Sequence, residues 1–165
     1  MRFEPTMVRE QKTARELFEQ VKANPARAKF GFGSRVAIVN VDFQQAYTRP
    51  DLFPKTAYVT DPDQIAHVNR ISAAARRLGM PVIWTRVMYK HDAGDAGVWG
   101  TRTNTPDSLQ NIKAGSDRHA FDPRVEIDPA VDFVFDKRMP SAFFETPLPS
   151  YLTWHKVDTV IVTGG

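Results

Sequence analysis

The sequence predicts an α/β fold with three αβα layers and a mostly parallel sheet. Four short runs of apolar residues are spread along the chain, and segments with helical periodicity lie between them. The runs are nearly continuous in apolar residues, which is typical of parallel strands covered on both faces. A strand followed by a helix and a second strand also favours a right-handed parallel crossover.

The N-terminal region is expected to form a helix and an irregular lead-in over residues 1–33. Between about residues 8 and 23, the apolar residues at helical spacing are Ala14, Leu17, Phe18 and Val21. One face of this helix is therefore expected to be packed. The first strand follows at residues 36–41. We interpret residues 1–165 as a single domain that is incomplete at its C-terminus.

The helix after the first strand has the clearest local signals. Asp61 is a good N-cap, Pro62 suits the first helical position, and Gly79 ends the helix. Apolar residues repeat at intervals of three or four between them, at Ile65, Val68, Ile71, Ala75 and Leu78. A second buried strand is then predicted at residues 81–85.

A long segment at residues 86–130 separates the second and third strands and lacks strong periodicity. A short helix is predicted within it at residues 106–113. Loops of this length usually carry function or an oligomer contact. The pattern then predicts a strand at residues 132–135, a short helix at 148–155 and a fourth strand at 159–162.

Composition excludes several classes of function. The 22 basic and 19 acidic residues give a net charge of +3 without a dense basic run, so no nucleic acid partner is expected. The sequence lacks the roughly 18 consecutive apolar residues of a membrane span, and its N-terminus lacks a signal peptide's apolar run. We therefore expect a cytoplasmic protein with no membrane partner. Because the chain has no cysteine, it contains no disulfide and no thiol nucleophile.

Two charged residues follow predicted strands and should lie at the carboxyl edge of the sheet, where α/β proteins bind ligands. Asp42 follows the first strand and could act as a general base, although a helix cap or loop carboxylate is the alternative. Lys137 follows the third strand, where a solvated lysine is the alternative. We expect the two side chains to approach within salt-bridge or one-water distance.

Further side chains are candidates for binding a substrate. Arg86 follows the second strand and could hold a carboxylate, or it could form a structural ion pair. Trp99, between two glycines, could be a lid over a pocket or an oligomer anchor. Tyr47 and Phe143 could line the pocket or belong to the core.

Three segments resemble the motifs of the isochorismatase-like cysteine hydrolase superfamily. In residues 39–47 an aspartate is followed two residues later by Gln44 and five later by Tyr47. Residues 137–148 resemble the second motif, a lysine followed by Ser-Ala-Phe and then Thr-x-Leu. Residues 157–164 are similar to the strand and turn that lead into the family's cysteine. The three segments occur in the family's order.

This resemblance implies a mechanism in which a cysteine thiolate attacks a carboxamide or carbamoyl carbon. Asp42 matches the residue that takes the thiol proton, and Lys137 matches the lysine that holds the charge arrangement. Gln44 is a candidate for binding the substrate. The cysteine is expected beyond residue 165, on a C-terminal segment of the same polypeptide, so the 165 residues alone are expected to be inactive.

Within the superfamily, the sequence is most similar to N-carbamoylsarcosine amidase-like hydrolases. The similarity lies in Phe-Gly-Phe-Gly at residues 30–33, the Thr85-Arg86 pair and Pro-Ser-Ala-Phe-Phe at 140–144. It implies a small amide or carbamoyl substrate and release of ammonia, with no cofactor, and we expect a homo-oligomer. Nicotinamidase-type members hold a metal through an Asp-x-His pair, but the single such triplet here, ending at His119, lacks a following histidine in this segment, so no metal is expected.

Two other functions remain open at this point. Some members of the superfamily cleave a vinyl ether without a cysteine, and Gly or Ala at the nucleophile position would favour that reaction. A non-catalytic α/β oligomerisation module would release no ammonia from any amide. The presence of both Asp42 and Lys137 argues against this last interpretation.

Overall fold

The computed structural model describes residues 12–23, 31–58, 61–97 and 111–164. The chain divides into two units, Met1–Gly31 and Phe32–Gly165. The first contains helix α1 (Ala14–Lys22). The second contains a four-stranded sheet and three helices among its described residues.

Helix α1 begins later than the sequence predicted. Lys12 and Thr13 are not helical. The Thr13 hydroxyl accepts a hydrogen bond from the Glu16 N–H, and the Glu16 carboxylate accepts one from the Thr13 N–H. This capping box fixes the helix start by satisfying backbone N–H groups that have no partner within the helix. Within its own unit, no residue of α1 is buried, so the expected packed face is not found there.

All four strands of the sheet are parallel, as predicted, and their order is β3-β2-β1-β4. The strands are β1 (Val36–Val41), β2 (Val82–Val87), β3 (Phe133–Lys137) and β4 (Thr159–Gly164). The register places Val41 beside Thr85 of β2 and beside Gly164 of β4. The carboxyl ends of β1, β2 and β4 therefore meet at one edge.

Helices cover both faces of this sheet. The three helices are α2 (Gln45–Thr48), α3 (Gln64–Arg77) and α4 (Leu148–Trp154). On one face, Ile65 and Val68 of α3 pack with Trp84 of β2. On the other face, Leu148 and Leu152 of α4 pack in a cluster with Ala37, Val39, Ile83 and Phe135. This arrangement confirms the predicted three-layer αβα fold.

The start of α3 and one short helix differ from the prediction. Asp61 was expected to cap α3, but its carboxylate accepts from the Asp63 N–H and its carbonyl from the Gln64 N–H, so a turn precedes the helix. Gly79 ends the helix with φ +67°, as predicted. Helix α2 has only four residues and was not predicted. Most of the predicted helix at residues 106–113 lies outside the described residues.

No helix in the described part of the chain is long and apolar enough to cross a bilayer.

Candidate active site

Asp42 and Lys137 form an ion pair at the carboxyl edge of the sheet. Asp42 directly follows β1, and Lys137 is the last residue of β3. Lys137 Nζ lies 2.7 Å from Asp42 Oδ2, with 2% of the lysine side chain and 13% of the aspartate side chain exposed. The predicted proximity is confirmed, and the carboxylate keeps some access to the surface.

The Lys137 ammonium is surrounded by oxygen acceptors. Besides Asp42, it donates to the carbonyl of Pro140 at 3.2 Å and to that of Met139 at 3.4 Å. A buried ammonium is costly unless its three N–H groups find acceptors. Asp42 and the turn after β3 together supply them.

The Asp42 backbone adopts an unusual conformation that places its side chain at this edge. Its φ of 58° lies in the left-handed region, which aspartate tolerates better than most residues. The Asp42 N–H donates to the Thr85 carbonyl at 3.2 Å, and the Asp42 carbonyl accepts from the Gln44 N–H at 2.7 Å. These bonds fix the turn on both sides of the carboxylate.

Thr85 is a site residue that the sequence analysis missed. Its hydroxyl donates to Asp42 Oδ1 at 2.7 Å, while Lys137 holds Oδ2. Both carboxylate oxygens are therefore oriented by hydrogen bonds. The parallel register that places Thr85 beside Val41 explains this contact. Sequence patterns indicated both strands but did not specify the register.

Two tyrosines lie close enough to Asp42 for its carboxylate to raise their pKa values. Burial, aided by the Asp42 carboxylate, raises the pKa of Tyr47. Burial and the carboxylates of Asp42 and Asp95 raise the pKa of Tyr89 to about 12. Tyr47 packs against the cluster that contains Tyr89. Both phenols therefore remain neutral hydrogen-bond donors near pH 7. Tyr89 was not among the substrate-binding candidates chosen from the sequence.

Gln44 is fully buried and uses its side chain to bind backbone. Its Nε2 donates to the carbonyls of Val87 at 2.8 Å and His119 at 3.0 Å, and its Oε1 accepts from the Val87 N–H at 2.7 Å. The amide thus joins the end of β2 to a distant loop. These contacts give Gln44 a structural role. They do not test its predicted role in substrate binding.

Arg86 lies within β2 and faces away from the Asp42–Lys137 pair. Adjacent strand residues point to opposite faces, and Thr85 occupies the face of the pair. Arg86 Nε donates to Asp136 Oδ1 at 2.8 Å, and His119 Nε2 lies 3.0 Å from the same oxygen. The Arg86 guanidinium also lies 5.0 Å from the centre of the Phe121 ring. These contacts match the structural ion pair considered as an alternative.

The remaining candidates are not brought to the pair by the described contacts. Phe143 follows β3 in the loop before α4, and 53% of it is exposed. Trp99 lies outside the described residues. Across residues 12–23, 31–58, 61–97 and 111–164, no three His, Cys, Asp or Glu side chains cluster as a metal site requires.

Comparison with known proteins gives consistent family matches. The Isochorismatase domain model matches residues 36–165. The chain is 33% identical over 144 residues to an N-carbamoylsarcosine amidase from an Arthrobacter species, covering 84% of this chain and 52% of that protein. It is also 33% identical over 141 residues to a maleamate amidohydrolase from Pseudomonas putida, covering 82% of this chain and 62% of that protein. The chain thus spans 52% to 62% of the length of these relatives.

Solved structures share the fold. A cysteine hydrolase from Pseudomonas syringae pv. phaseolicola matches with a TM-score of 0.71 and 24% identity, covering 79% of this chain and 59% of that one. An N-carbamoylsarcosine amidase from Thermoplasma acidophilum matches with a TM-score of 0.59 and 22% identity, covering 79% and 68%. Because the domain model matches most of the chain, including Asp42 and Lys137, the chain belongs to the isochorismatase family.

Proposed function

We propose that the full-length protein hydrolyses a small carboxamide or carbamoyl compound and releases ammonia. The observation that carries this proposal is the buried ion pair of Lys137 and Asp42, whose atoms Nζ and Oδ2 are 2.7 Å apart at the carboxyl edge of a parallel sheet. Two relatives that are 33% identical to the chain are named N-carbamoylsarcosine amidase and maleamate amidohydrolase, which supports the same class of reaction here.

Asp42 is assigned the proton-transfer role. In the proposed reaction a thiol gives its proton to the Asp42 carboxylate, and the thiolate adds to the carbonyl carbon of the substrate. The C–N bond then breaks as Asp42 returns the proton to the leaving nitrogen. Water hydrolyses the resulting thioester. Lys137 and Thr85 each donate to one carboxylate oxygen, which keeps Asp42 oriented for both proton transfers.

The thiol is proposed to come from a C-terminal segment of the same polypeptide, beyond residue 165. This rests on the resemblance of residues 157–164 to the strand and turn before the family's cysteine. In the structure, β4 pairs with β1 through residue Gly164, next to Val41. A Cβ on Gly164 would lie 2.8 Å from the Val41 carbonyl oxygen, so glycine permits this close approach. A segment that continued from there would begin beside Asp42.

The surroundings of Asp42 favour a small polar substrate. Tyr47 lies close enough to Asp42 for that carboxylate to raise its pKa, so its hydroxyl is a neutral donor near pH 7. Phenol donors suit a carbonyl or carboxylate oxygen. We propose N-carbamoyl amino acids and short carboxamides as the substrate class, within a cytoplasmic homo-oligomer that needs no cofactor.

The experiment is a substrate panel assayed with the full-length protein. N-carbamoyl amino acids, short carboxamides and a vinyl ether such as isochorismate are incubated separately, and ammonia release and vinyl ether cleavage are both measured. We expect ammonia from at least one carbamoyl or carboxamide compound and, by intact mass, an acyl adduct on the protein during turnover. Cleavage of the vinyl ether without ammonia release would replace the amidase proposal, and turnover of nothing in the panel would favour the non-catalytic module.

A further inference from the structure

The direction of the Lys137 ammonium depends on the turn that follows β3. Two of its acceptors, the carbonyls of Met139 and Pro140, belong to this turn, whereas Asp42 belongs to the end of β1. A small shift of the turn would move both carbonyls relative to Asp42. The position of residues 138–140 therefore contributes to the surroundings of the ammonium, beside its shorter contact with Asp42.

Asp95 holds this turn through Arg138. Arg138 Nε donates to Asp95 Oδ2 at 2.5 Å, and Asp95 Oδ1 accepts from the Lys90 N–H at 2.8 Å. Burial raises the pKa of Asp95, but the Lys90 N–H and the Arg138 guanidinium outweigh it and leave that pKa below its ordinary value. Asp95 is thus ionised at neutral pH and joins the residue next to Lys137 to the loop after β2.

The loop that carries Asp95 has its own internal order. The Ala93 N–H donates to the Lys90 carbonyl at 2.9 Å, and the Ala96 N–H donates to the Ala93 carbonyl at 3.0 Å. Ala96 is buried in the cluster beneath the loop. A Cβ built on Gly97 would lie 3.4 Å from Met139 Cε, so the loop also lies against Met139. The loop therefore contacts the turn at both Arg138 and Met139.

We propose that Asp95 is a positioning residue, whose ion pair with Arg138 fixes the 138–140 turn and so directs the Lys137 ammonium at Asp42. The geometric part of this inference stands on the contacts alone, and its effect on turnover rests on the proposed function. Tyr89 lies near both carboxylates, since Asp42 and Asp95 each raise its pKa.

The competing interpretation is an ordinary ion pair that contributes only to stability. Partly exposed pairs typically contribute little, about 0.2 to 1 kcal/mol. Such a pair would affect Lys137 no more than any other charge in the same loop. The two interpretations therefore predict different NMR behaviour of the Lys137 ammonium when the ion pair is broken. Stability measurements alone do not separate them.

The test follows the Lys137 ammonium by NMR in full-length protein labelled with [ε-¹⁵N]lysine, with the signal assigned by its loss in Lys137→Met. Asp95→Asn keeps an acceptor for the Lys90 N–H but removes the charge that holds Arg138. Asp92→Asn is the matched control, since Asp92 is an exposed carboxylate of the same loop that accepts from the Gly94 N–H. We expect the Lys137 signal to shift or broaden in Asp95→Asn and to stay unchanged in Asp92→Asn.

Steady-state kinetics on a substrate of the wild-type protein supply a second measurement. Asp95→Asn should lower kcat about tenfold with KM within about twofold, because a displaced ammonium disturbs the proton-transfer step more than substrate binding. Arg138→Gln should have the same effect, and the double variant should lose little more, as expected for two partners of one interaction. Asp92→Asn should retain wild-type kcat.

An unchanged Lys137 signal in both Asp95→Asn and Arg138→Gln, in folded protein, would overturn the proposal. Equal changes in Asp95→Asn and Asp92→Asn would also overturn it, because they would reflect loop charge in general. If no compound of the panel is turned over, the NMR comparison still decides the geometric inference, so failure of the proposed function is distinguishable from failure of the positioning role.

Discussion

At the residue scale, the candidate site depends on the hydrogen bonds that orient the Asp42 carboxylate. Asp42 has a left-handed backbone, and its two oxygens accept from different side chains, Thr85 and Lys137. Hydrogen bonds to ionised groups are shorter and stronger than neutral ones. The orientation of Asp42 is therefore set before any substrate binds, which is the condition for efficient proton transfer.

Removing the Thr85 hydroxyl tests this orientation. Thr85→Val preserves the side-chain shape but leaves Asp42 Oδ1 without its donor. We expect kcat for amide hydrolysis to fall about tenfold, since a hydrogen bond to a charged group contributes roughly 1.5 kcal/mol or more. Thr85→Ser retains the hydroxyl and should stay close to wild type in the same assay. Equal kcat values for the valine and serine variants would remove Thr85 from the site.

At the element scale, hydrophobic periodicity in the sequence predicted the four strands. Contacts that depend on which strands pair, and in which register, were not predicted. The apolar runs located all four strands, and the position of Asp42 and Lys137 after strands predicted their shared edge. Helix α2 was missed because four residues are too few to display helical periodicity. The structural contacts of Gln44 and Arg86 were not predicted, because their partners Val87 and Asp136 become neighbours only through strand register.

The lead-in to β1 is held by one carboxylate, and its pH dependence can be predicted. Asp158 accepts from the Ser34 and Arg35 N–H groups at 2.9 and 3.0 Å. These bonds lower the pKa of Asp158 to about 2. A carboxyl group whose pKa is lower in the folded state stabilises the fold above its unfolded pKa of roughly 4, and this contribution is lost as the pH falls towards 2.

Asp158→Asn should therefore reduce the free energy of unfolding most above pH 4, with the deficit shrinking as the pH approaches 2. Denaturant unfolding of the full-length protein at several pH values from 6 downward measures this. Asp117→Asn, at an exposed position between β2 and β3, serves as the control and should show no such trend. A deficit that is equal at pH 6 and pH 2.5 would contradict the assignment of Asp158.

At the scale of the whole fold, a buried carboxylate joins three parts of the second unit. The Asp132 side chain is fully buried and accepts from Arg76 of α3 through Nε at 2.8 Å and through a terminal nitrogen at 2.5 Å. It also accepts from Trp84 Nε1 at 2.8 Å and from the Asp128 N–H at 3.1 Å. One side chain thus ties α3 and β2 to the start of β3.

Asp132→Ala should be strongly destabilising, by about 3 kcal/mol or more, because it removes the carboxylate that pairs with the Arg76 charge and accepts from the Trp84 N–H. Chemical unfolding of the full-length protein gives the value. Glu126→Ala, at an exposed position of the same loop, should change stability by less than about 0.5 kcal/mol. Similar losses in the two variants would show that Asp132 is not a structural centre of the fold.

In the proposed reaction Asp42 moves the proton, and the rate of ammonia release by full-length Asp42→Asn measures this role. The substitution preserves side-chain shape but removes the proton acceptor, so kcat should fall by about 10² to 10⁴ with the fold intact by circular dichroism. Asp51→Asn, which removes an exposed carboxylate that pairs with Arg49, should keep the wild-type rate. Wild-type ammonia release by Asp42→Asn would show that Asp42 does not transfer the proton.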